Sequence, residues 1–260
     1  MIIKKIQILI LVLFIFTIFT FLQEKPDGLK IIQKVYDRPT GDDQSANLTM
    51  VLIDSRGNKR VREIKQLLKN GKDIEKKIMF FMSPADVRNT SFMNWSYQKE
   101  GKGDDQWIYL PALKRVKRIS SDSKSDYFMG SDFTYDDLGD RQPTADNHKL
   151  LRMEKLDNEE CYIIESTPKE EEYMYFKTLT WIIKDKWIGK KKEFYDEDGD
   201  LLKVLKVKKY EKISGYWIIL HSEMINLQKK HSTDMSLTDV KINTKIQDGQ
   251  FTERMMKRGM

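Results

Sequence analysis

The chain has 260 residues, of which 33% are charged and 40% hydrophobic, and its formal net charge at pH 7 is +6. This composition predicts a folded protein, and so small a positive charge for this length does not indicate nucleic-acid binding. The single cysteine, Cys161, excludes an intramolecular disulfide and with it a disulfide-rich secreted scaffold.

The first 22 residues have the layout of an export signal. Lys4 and Lys5 precede a mostly apolar stretch, Ile6–Leu22, and polarity returns at Gln23. We therefore predict that residues 1–22 are a signal peptide or a signal anchor and that the rest of the chain is periplasmic or otherwise extracytoplasmic. No Ala-x-Ala sequence precedes Gln23, and about 17 residues at 1.5 Å rise nearly cross a bilayer core. Both cleavage and anchoring in the inner membrane by residues 6–22 are compatible with this sequence.

A short amphipathic helix is predicted next, over Gly28–Asp37. Asp27 is a suitable N-cap, and Pro39 and Gly41 would end the helix.

The following residues predict a mainly β domain, residues 27–260. Short β-rich runs alternate with turn sequences such as Asn70-Gly71 and are too closely spaced for helical crossovers, which favours antiparallel hairpins. A sheet of this many strands must curl or split into two sheets. If it curls, the first helix could cover its concave face. Lys59–Lys69 could equally be helical, and Ser131–Leu138 and Thr252–Lys257 are predicted as short helical turns. The predicted strands are Ala46–Asp54, Lys59–Lys69, Ile74–Met82, Phe92–Gln98, Gln106–Leu110, Arg115–Ser120, Lys149–Leu156, Cys161–Glu165, Thr178–Lys184, Lys190–Tyr195, Leu201–Tyr210, Tyr216–Met224 and Met235–Ile246.

Motifs of known catalytic chemistry are missing from the sequence. His148, His221 and His231 lack the spacing of metal ligands, and Cys161 lies within an apolar run typical of a packed thiol. Asp196–Asp200 begins like a calcium loop, but the required glycine and glutamate do not follow, so a hairpin turn is predicted. We predict a protein that is not an enzyme and that holds no cofactor and no metal.

Three carboxylates follow closely in the chain at Asp132, Asp136 and Asp137. They could be imagined as an acidic metal site. We interpret them as solvated turn and capping residues.

Residues 104–138 combine many aromatic side chains with a basic run, Lys114–Ile119. If that run is a strand, alternation places Arg115 and Arg118 on opposite faces. The charges either protect an exposed edge strand from aggregation or place one basic pair at the mouth of a pocket, facing phosphate or carboxylate.

Several segments resemble a known family. Trp107–Pro111, Lys114–Ile119 and Phe128–Leu138 are similar to the signature of LolA-like outer-membrane lipoprotein-sorting proteins. Met82–Met93 and Phe251–Arg258 resemble flanking segments of that family, so the likeness spans nearly the whole chain after the export segment. We call Phe128–Leu138 the signature segment.

The resemblance implies an open half-barrel, a large curved antiparallel sheet with a few short helices covering its concave face. Its hollow would accept lipid or lipoprotein acyl chains, and the family offers no catalytic residues. Some members are linked with resistance-nodulation-division type transporters, which implies such a transporter as a partner. Asn89 stands where the family has Gly, and Asn tolerates left-handed backbone geometry.

We therefore predict a non-enzymatic envelope carrier or chaperone that works with a membrane transporter. The alternative is an envelope interaction or sensor module, or a transporter accessory subunit, without lipid transfer. The predicted cavity residues are Trp107, Tyr109, Phe128, Met129 and Phe133, and the predicted headgroup or partner contacts are Arg115 and Arg118.

Overall fold

The computed structural model of the protein describes residues 27–260, so the predicted export segment, residues 1–22, lies outside the described residues. Helix α1 spans Gly28–Tyr36, and the Asp27 carboxylate caps it by accepting a hydrogen bond from the backbone N–H of Leu29, 3.2 Å away. The helix predicted over Gly28–Asp37 is thus present, one residue shorter.

Thirteen strands form one antiparallel sheet in the order β6-β5-β4-β3-β2-β1-β13-β12-β11-β10-β9-β8-β7. Strands β6 and β7 are its two edges and do not pair, so the sheet is open, which confirms the predicted fold class. The strands are β1 Asp43–Ile53, β2 Lys59–Asn70, β3 Ile74–Ser83, β4 Ser91–Tyr97, β5 Asp105–Leu110, β6 Arg115–Arg118, β7 Asp146–Leu156, β8 Glu159–Pro168, β9 Lys177–Ile183, β10 Ile188–Tyr195, β11 Leu201–Ile213, β12 Tyr216–Asn226 and β13 His231–Ile242.

Each predicted strand has a counterpart, and the last one differs most. It was predicted to end at Ile246, but β13 ends at Ile242 because Asn243 and Lys245 have positive φ angles of 58° and 63°. The backbone N–H groups of residues 244–246 instead donate to the carboxylate of Asp43, at 2.7–3.2 Å. The Asp43 carboxylate thus takes the place of the backbone carbonyls that would accept these hydrogen bonds in a continued strand.

The two faces of the sheet bury different clusters. On β3, Met79 and Phe81 belong to one cluster, and Ile78 and Phe80 to another on the opposite face. The first cluster contains residues of β4 and of β10, which have six strands between them. A flat sheet would separate these strands by about 34 Å at the usual spacing. The sheet must therefore curve around this cluster, and we call its side the inner face.

Residues 119–145, the covering segment, lie over the inner face and contain no long regular element. Helix α1 covers the inner face near β7–β9, where Ile31 packs against Tyr162 and Ile164. Neither helix within residues 27–260 has the length and apolar composition to span a bilayer. The short 3-10 turns are Pro111–Leu113, Ser121–Ser125, Phe128–Gly130, Asp136–Leu138, Pro143–Ala145 and Asp248–Gln250.

The C-terminal helix α2, Glu253–Arg258, packs on the outer face of β4–β6. Its N-cap is Thr252, whose hydroxyl accepts a hydrogen bond from the backbone N–H of Met255, in agreement with the predicted turn over Thr252–Lys257. Met256 is fully buried in the outer cluster, and its carbonyl accepts a hydrogen bond from the Ser91 hydroxyl at 3.0 Å.

Replacing Met256 by Ala should lower the free energy of unfolding by about 2–5 kcal/mol, because it leaves a cavity in a packed cluster. Met260→Ala is a matched control, since Met260 is 63% exposed and should contribute almost nothing. Urea unfolding monitored by tryptophan fluorescence measures both variants. Equal stabilities would show that α2 is not part of the cooperative fold.

Candidate functional site

The signature segment fills much of the space under the inner face. The Phe128 ring is fully buried, and its centroid lies 5.1 Å from that of Phe92 and 5.6 Å from that of Tyr135. Phe133 is buried in the same cluster, and Met129 packs at its margin. These three predicted cavity residues therefore lie together.

The other two predicted cavity residues lie on the outer face. On β5, Ile108 is buried, whereas Trp107 and Tyr109 point to the opposite side and pack on the cluster that contains α2. The Trp107 ring stacks edge-on against Trp95 at 5.2 Å. The structure does not bring the five residues into one cavity: Trp107 and Tyr109 lie on the outer face, and of the other three only Phe133 lines one of the two cavities described below.

The two predicted headgroup residues lie on the edge strand β6. Arg118 forms an ion pair with Asp105, which also accepts a hydrogen bond from the Tyr97 hydroxyl at 2.7 Å. Arg115 is exposed at the start of the strand and has no ion pair with a described residue. Their environments therefore differ, with Arg118 engaged by the protein and Arg115 directed to solvent.

Asp132 anchors the covering segment to β13. Asp132 is buried, with 2% of the residue exposed. Its carboxylate accepts hydrogen bonds from His231 Nδ1 and from the Thr233 hydroxyl, each at 2.7 Å. The backbone N–H of Asp132 in turn donates to the Thr233 oxygen at 2.9 Å. The interpretation of Asp132 as a solvated turn residue was wrong.

A second anchor is the buried ion pair between Asp137 and Lys203 of β11. Their side chains are 6% and 0% exposed, and Lys203 Nζ lies 2.5 Å from Asp137 Oδ2. Lys203 also donates to the carbonyl of Asp132 at 3.0 Å, and Asp137 accepts from the backbone N–H of Thr134 and the hydroxyl of Tyr175. The cost of burying both charges is thus offset by additional hydrogen bonds on each side.

A third anchor joins the covering segment to the loop after β8. The Tyr173 hydroxyl donates a hydrogen bond to Asp136, and burial, together with this carboxylate, raises the pKa of Tyr173. The guanidinium of Arg141 lies 3.7 Å from the centroid of the Tyr173 ring and pairs with Asp146 through two nitrogens at 2.7 and 2.9 Å.

Sequence reasoning missed the partners in these anchors because they lie far along the chain. Lys203 lies at an inward-facing position of β11, in register with Phe194 of β10. A lysine at such a position is a signal for a buried partner.

Two cavities, each lined by both apolar and charged residues, remain beside the signature segment. One, of about 230 Å³, lies against Phe133 and the strands β9–β12, and the other, of about 320 Å³, lies against β1–β3 and β12–β13. Residues 137, 139 and 140 line both, so this short stretch is the wall between them. A Cβ at Gly139 would lie 2.4 Å from Asp104 Oδ2, which shows how tightly the wall is seated. The apolar lining of the two cavities includes Leu48, Met79, Phe133, Leu138, Phe194, Leu205, Met224, Met235 and Leu237.

Buried carboxylates hold the other side of this wall. Asp104 accepts a hydrogen bond from the backbone N–H of Asp140 at 2.9 Å, and Lys77 Nζ donates to the carbonyl of Leu138 at 3.2 Å. Burial, reinforced by the charge of Asp140, raises the pKa of Glu75 to about 8. Burial also raises the pKa of Asp104.

The chain is similar in sequence and fold to known proteins. A family model described only as an uncharacterized protein matches residues 73–258. An outer-membrane lipoprotein-sorting protein domain from Vibrio parahaemolyticus is 34% identical, with a TM-score of 0.83, over 89% of this chain and 98% of its own. A DUF1329 family protein from Desulfovibrio piger is 28% identical, with a TM-score of 0.83, over 88% of this chain and 97% of its own. No curated protein matches the chain.

The half-barrel fold has a further relative in a LolA superfamily protein from Nitrosomonas europaea. That protein is 22% identical, with a TM-score of 0.69, over 89% of this chain and 100% of its own. An open, curved sheet with a covered inner face defines a half-barrel. The chain belongs to the LolA-like outer-membrane lipoprotein-sorting protein family.

Replacing Asp137 by Asn should lower the free energy of unfolding by about 3–5 kcal/mol, because the buried Lys203 charge loses its counter-ion. The double variant Asp137→Asn, Lys203→Met should be less destabilised than the sum of the two single variants. Urea unfolding of all four proteins gives the coupling energy. Additive effects would show that the two side chains do not interact.

The raised pKa of Glu75 predicts a pH dependence of stability. Between its ordinary value near 4.5 and about 8, the folded protein keeps a proton that the unfolded chain loses, so stability falls as pH rises through this range. Glu75→Gln should flatten this fall and should be more stable than the original protein at pH 8. The exposed Glu171→Gln is the control, and identical pH profiles for all three proteins would contradict the prediction.

Proposed function

We propose that this protein is a non-enzymatic carrier that holds the acyl chain of a lipid or lipoprotein under the inner face of its sheet. The single observation that carries the proposal is the pair of cavities that share residues 137, 139 and 140 as lining. Moving this short wall would join the cavities into one elongated hollow suited to a chain-shaped ligand.

The energetics favour an exchange of apolar groups. Each methylene removed from water contributes about 0.8 kcal/mol. An acyl chain that displaces the Phe133 ring takes over its place against Phe194 and the other apolar wall residues. The displaced ring loses its own burial, so the net gain is the burial of the acyl chain less that of one phenyl ring.

The anchors explain how the hollow can be selective without being permanently open. Asp132, Asp136 and Asp137 each hold the covering segment through a separate element, so the wall between the cavities stays in place until these contacts rearrange. The walls combine apolar side chains with polar groups such as Asp137, and apolar walls with a few placed polar groups are the usual composition of a small-molecule site.

The sorting role in the name of the Vibrio domain suggests that the carried chains belong to lipoproteins or lipids of the envelope. The export signal predicted for residues 1–22 would place the domain, residues 27–260, in the periplasm or otherwise outside the cytoplasm. A transporter partner of the resistance-nodulation-division type stays a prediction. An interaction or sensor role without lipid transfer also stays a prediction, and the following test distinguishes that role from lipid binding.

Leu205→Trp should weaken binding of a fluorescent fatty acid at least about tenfold, because the larger side chain fills the cavity that Leu205 lines. Lys206→Trp is the matched control, since the next residue is exposed and faces away. The chain from Gln23 onward, purified without detergent, should also yield lipid on extraction. Absence of lipid and of any fatty-acid binding in the folded protein would favour the interaction module.

A further inference from the structure

One end of the sheet differs from the rest of the surface. The turns after β1, β3, β5 and β12 all lie at this end and are neighbours there, because the hairpins β5–β6, β3–β4, β1–β2 and β12–β13 follow one another in the sheet. We call the four turns and their adjoining residues the basic rim. It comprises residues 54–61, 82–90, 111–115 and 227–230.

The basic rim carries a strong local excess of positive charge. It contains eight basic residues and two acidic ones, Asp54 and Asp86, and each of the eight is exposed. None of the eight forms an ion pair with a described residue, whereas most basic residues on the strands between the turns are paired or partly buried. The eight are Arg56, Lys59, Arg60, Arg88, Lys114, Arg115, Lys229 and Lys230.

Large apolar side chains are exposed among these charges. Leu113 is 59% exposed, Val61 48%, Leu227 46% and Met82 44%, one in each of the four parts of the basic rim. They are four of the nine large hydrophobic side chains that are exposed in residues 27–260. Apolar tips surrounded by basic residues are the composition of surfaces that bind anionic bilayers.

The neighbouring turns at the same end have the opposite charge. The turn after β10 carries four acidic residues within Asp196–Asp200, and the loop after β8 contains Glu170, Glu171 and Glu172. Gln228 donates a hydrogen bond to Asp196 at 2.6 Å across the boundary. An anionic surface would attract one half of this end and repel the other, so the protein would dock in a single orientation.

We propose that the basic rim docks the protein on the surface of an anionic phospholipid bilayer. Leu113, Val61, Leu227 and Met82 then enter the headgroup region, while the basic side chains contact lipid phosphates. Arg115 belongs to this surface, whereas Arg118 is held by Asp105 and does not.

The docked orientation places the covering segment next to the bilayer. The Tyr127 hydroxyl accepts a hydrogen bond from Asn226 at 3.0 Å, and Lys229 Nζ lies 3.5 Å from the centroid of the Tyr127 ring. Arg62, just beyond the rim on β2, donates to the carbonyl of Met129 at 2.5 Å. The signature segment thus begins directly behind the docking surface.

Vesicle co-sedimentation tests the proposal with the chain from Gln23 onward, which omits the apolar segment that would bind bilayers by itself. The solved Vibrio domain shows that this fold forms as an isolated domain. The protein should bind vesicles that contain phosphatidylglycerol and should bind pure phosphatidylcholine much more weakly. Raising the ionic strength should weaken the binding, because salt screens exposed charges.

The triple variant Arg56→Gln, Arg115→Gln, Lys230→Gln should bind these vesicles roughly 100-fold more weakly, since each basic residue at an anionic surface contributes about fivefold. The control variant Lys72→Gln, Lys155→Gln, Lys212→Gln has the same net charge, and its three exposed residues lie at the opposite end of the sheet. Equal loss in both variants would overturn the proposal, because it would mean that only net charge matters. Absence of binding to either kind of vesicle would overturn it as well and would leave an acidic protein as the partner of this surface.

The apolar contribution is tested separately. Leu113→Ser with Leu227→Ser should lower vesicle binding about tenfold, because half-exposed leucines bury further apolar area in the bilayer. Leu151→Ser with Met153→Ser on the edge strand β7 is the control and should bind normally. Fatty-acid binding in solution should be unchanged in all these variants. The docking proposal and the acyl-chain proposal can therefore be contradicted independently of each other. Normal vesicle binding by the Leu113, Leu227 variant would overturn the insertion of these side chains.

Discussion

The buried ion pair between Asp137 and Lys203 holds the covering segment in place, and the rest of the site depends on that position. A curved open sheet has an apolar inner face that must be covered, and here the cover has no ladder of its own. Its location is therefore set by side chains. A buried ion pair adds little net stability compared with apolar packing, but losing one partner is costly, so the pair specifies where the segment lies. The cavities persist because their wall is held at this point.

The anchors and the basic rim share the hairpin of β12 and β13. The turn between these strands contributes Leu227 and two lysines to the rim. The adjoining residue His231 binds Asp132, and Asn226 binds Tyr127. A bilayer that contacts the turn would thus act on residues bonded directly to the covering segment. The proposed docking surface and the covering segment are thus in direct contact through one hairpin.

The β-rich runs and the turn sequences between them were sufficient to predict thirteen strands and an antiparallel sheet. The amphipathic pattern and its cap residue Asp27 predicted the first helix. The alternation of strand residues was not applied to Trp107 and Tyr109, which share a motif with the inner residues but face outward. The end of β13 was missed because it depends on Asp43, about 200 residues earlier in the chain. The anchors were missed for the same reason, since Lys203 and His231 are brought to the signature segment only by the order of the strands.

The wall between the cavities has two different supports. On one side the ion pair with Lys203 is accompanied by hydrogen bonds from Thr134 and Tyr175. On the other side Asp104 holds the backbone of Asp140 within a group of carboxylates whose pKa values are raised by burial. Deprotonation of Glu75 adds a negative charge beside Asp140 and Asp104, and Lys77 Nζ lies 4.0 Å from the Glu75 carboxylate. The carboxylate side of the wall is therefore the weaker one as pH rises, and an opening movement would begin there and turn about the Lys203 anchor.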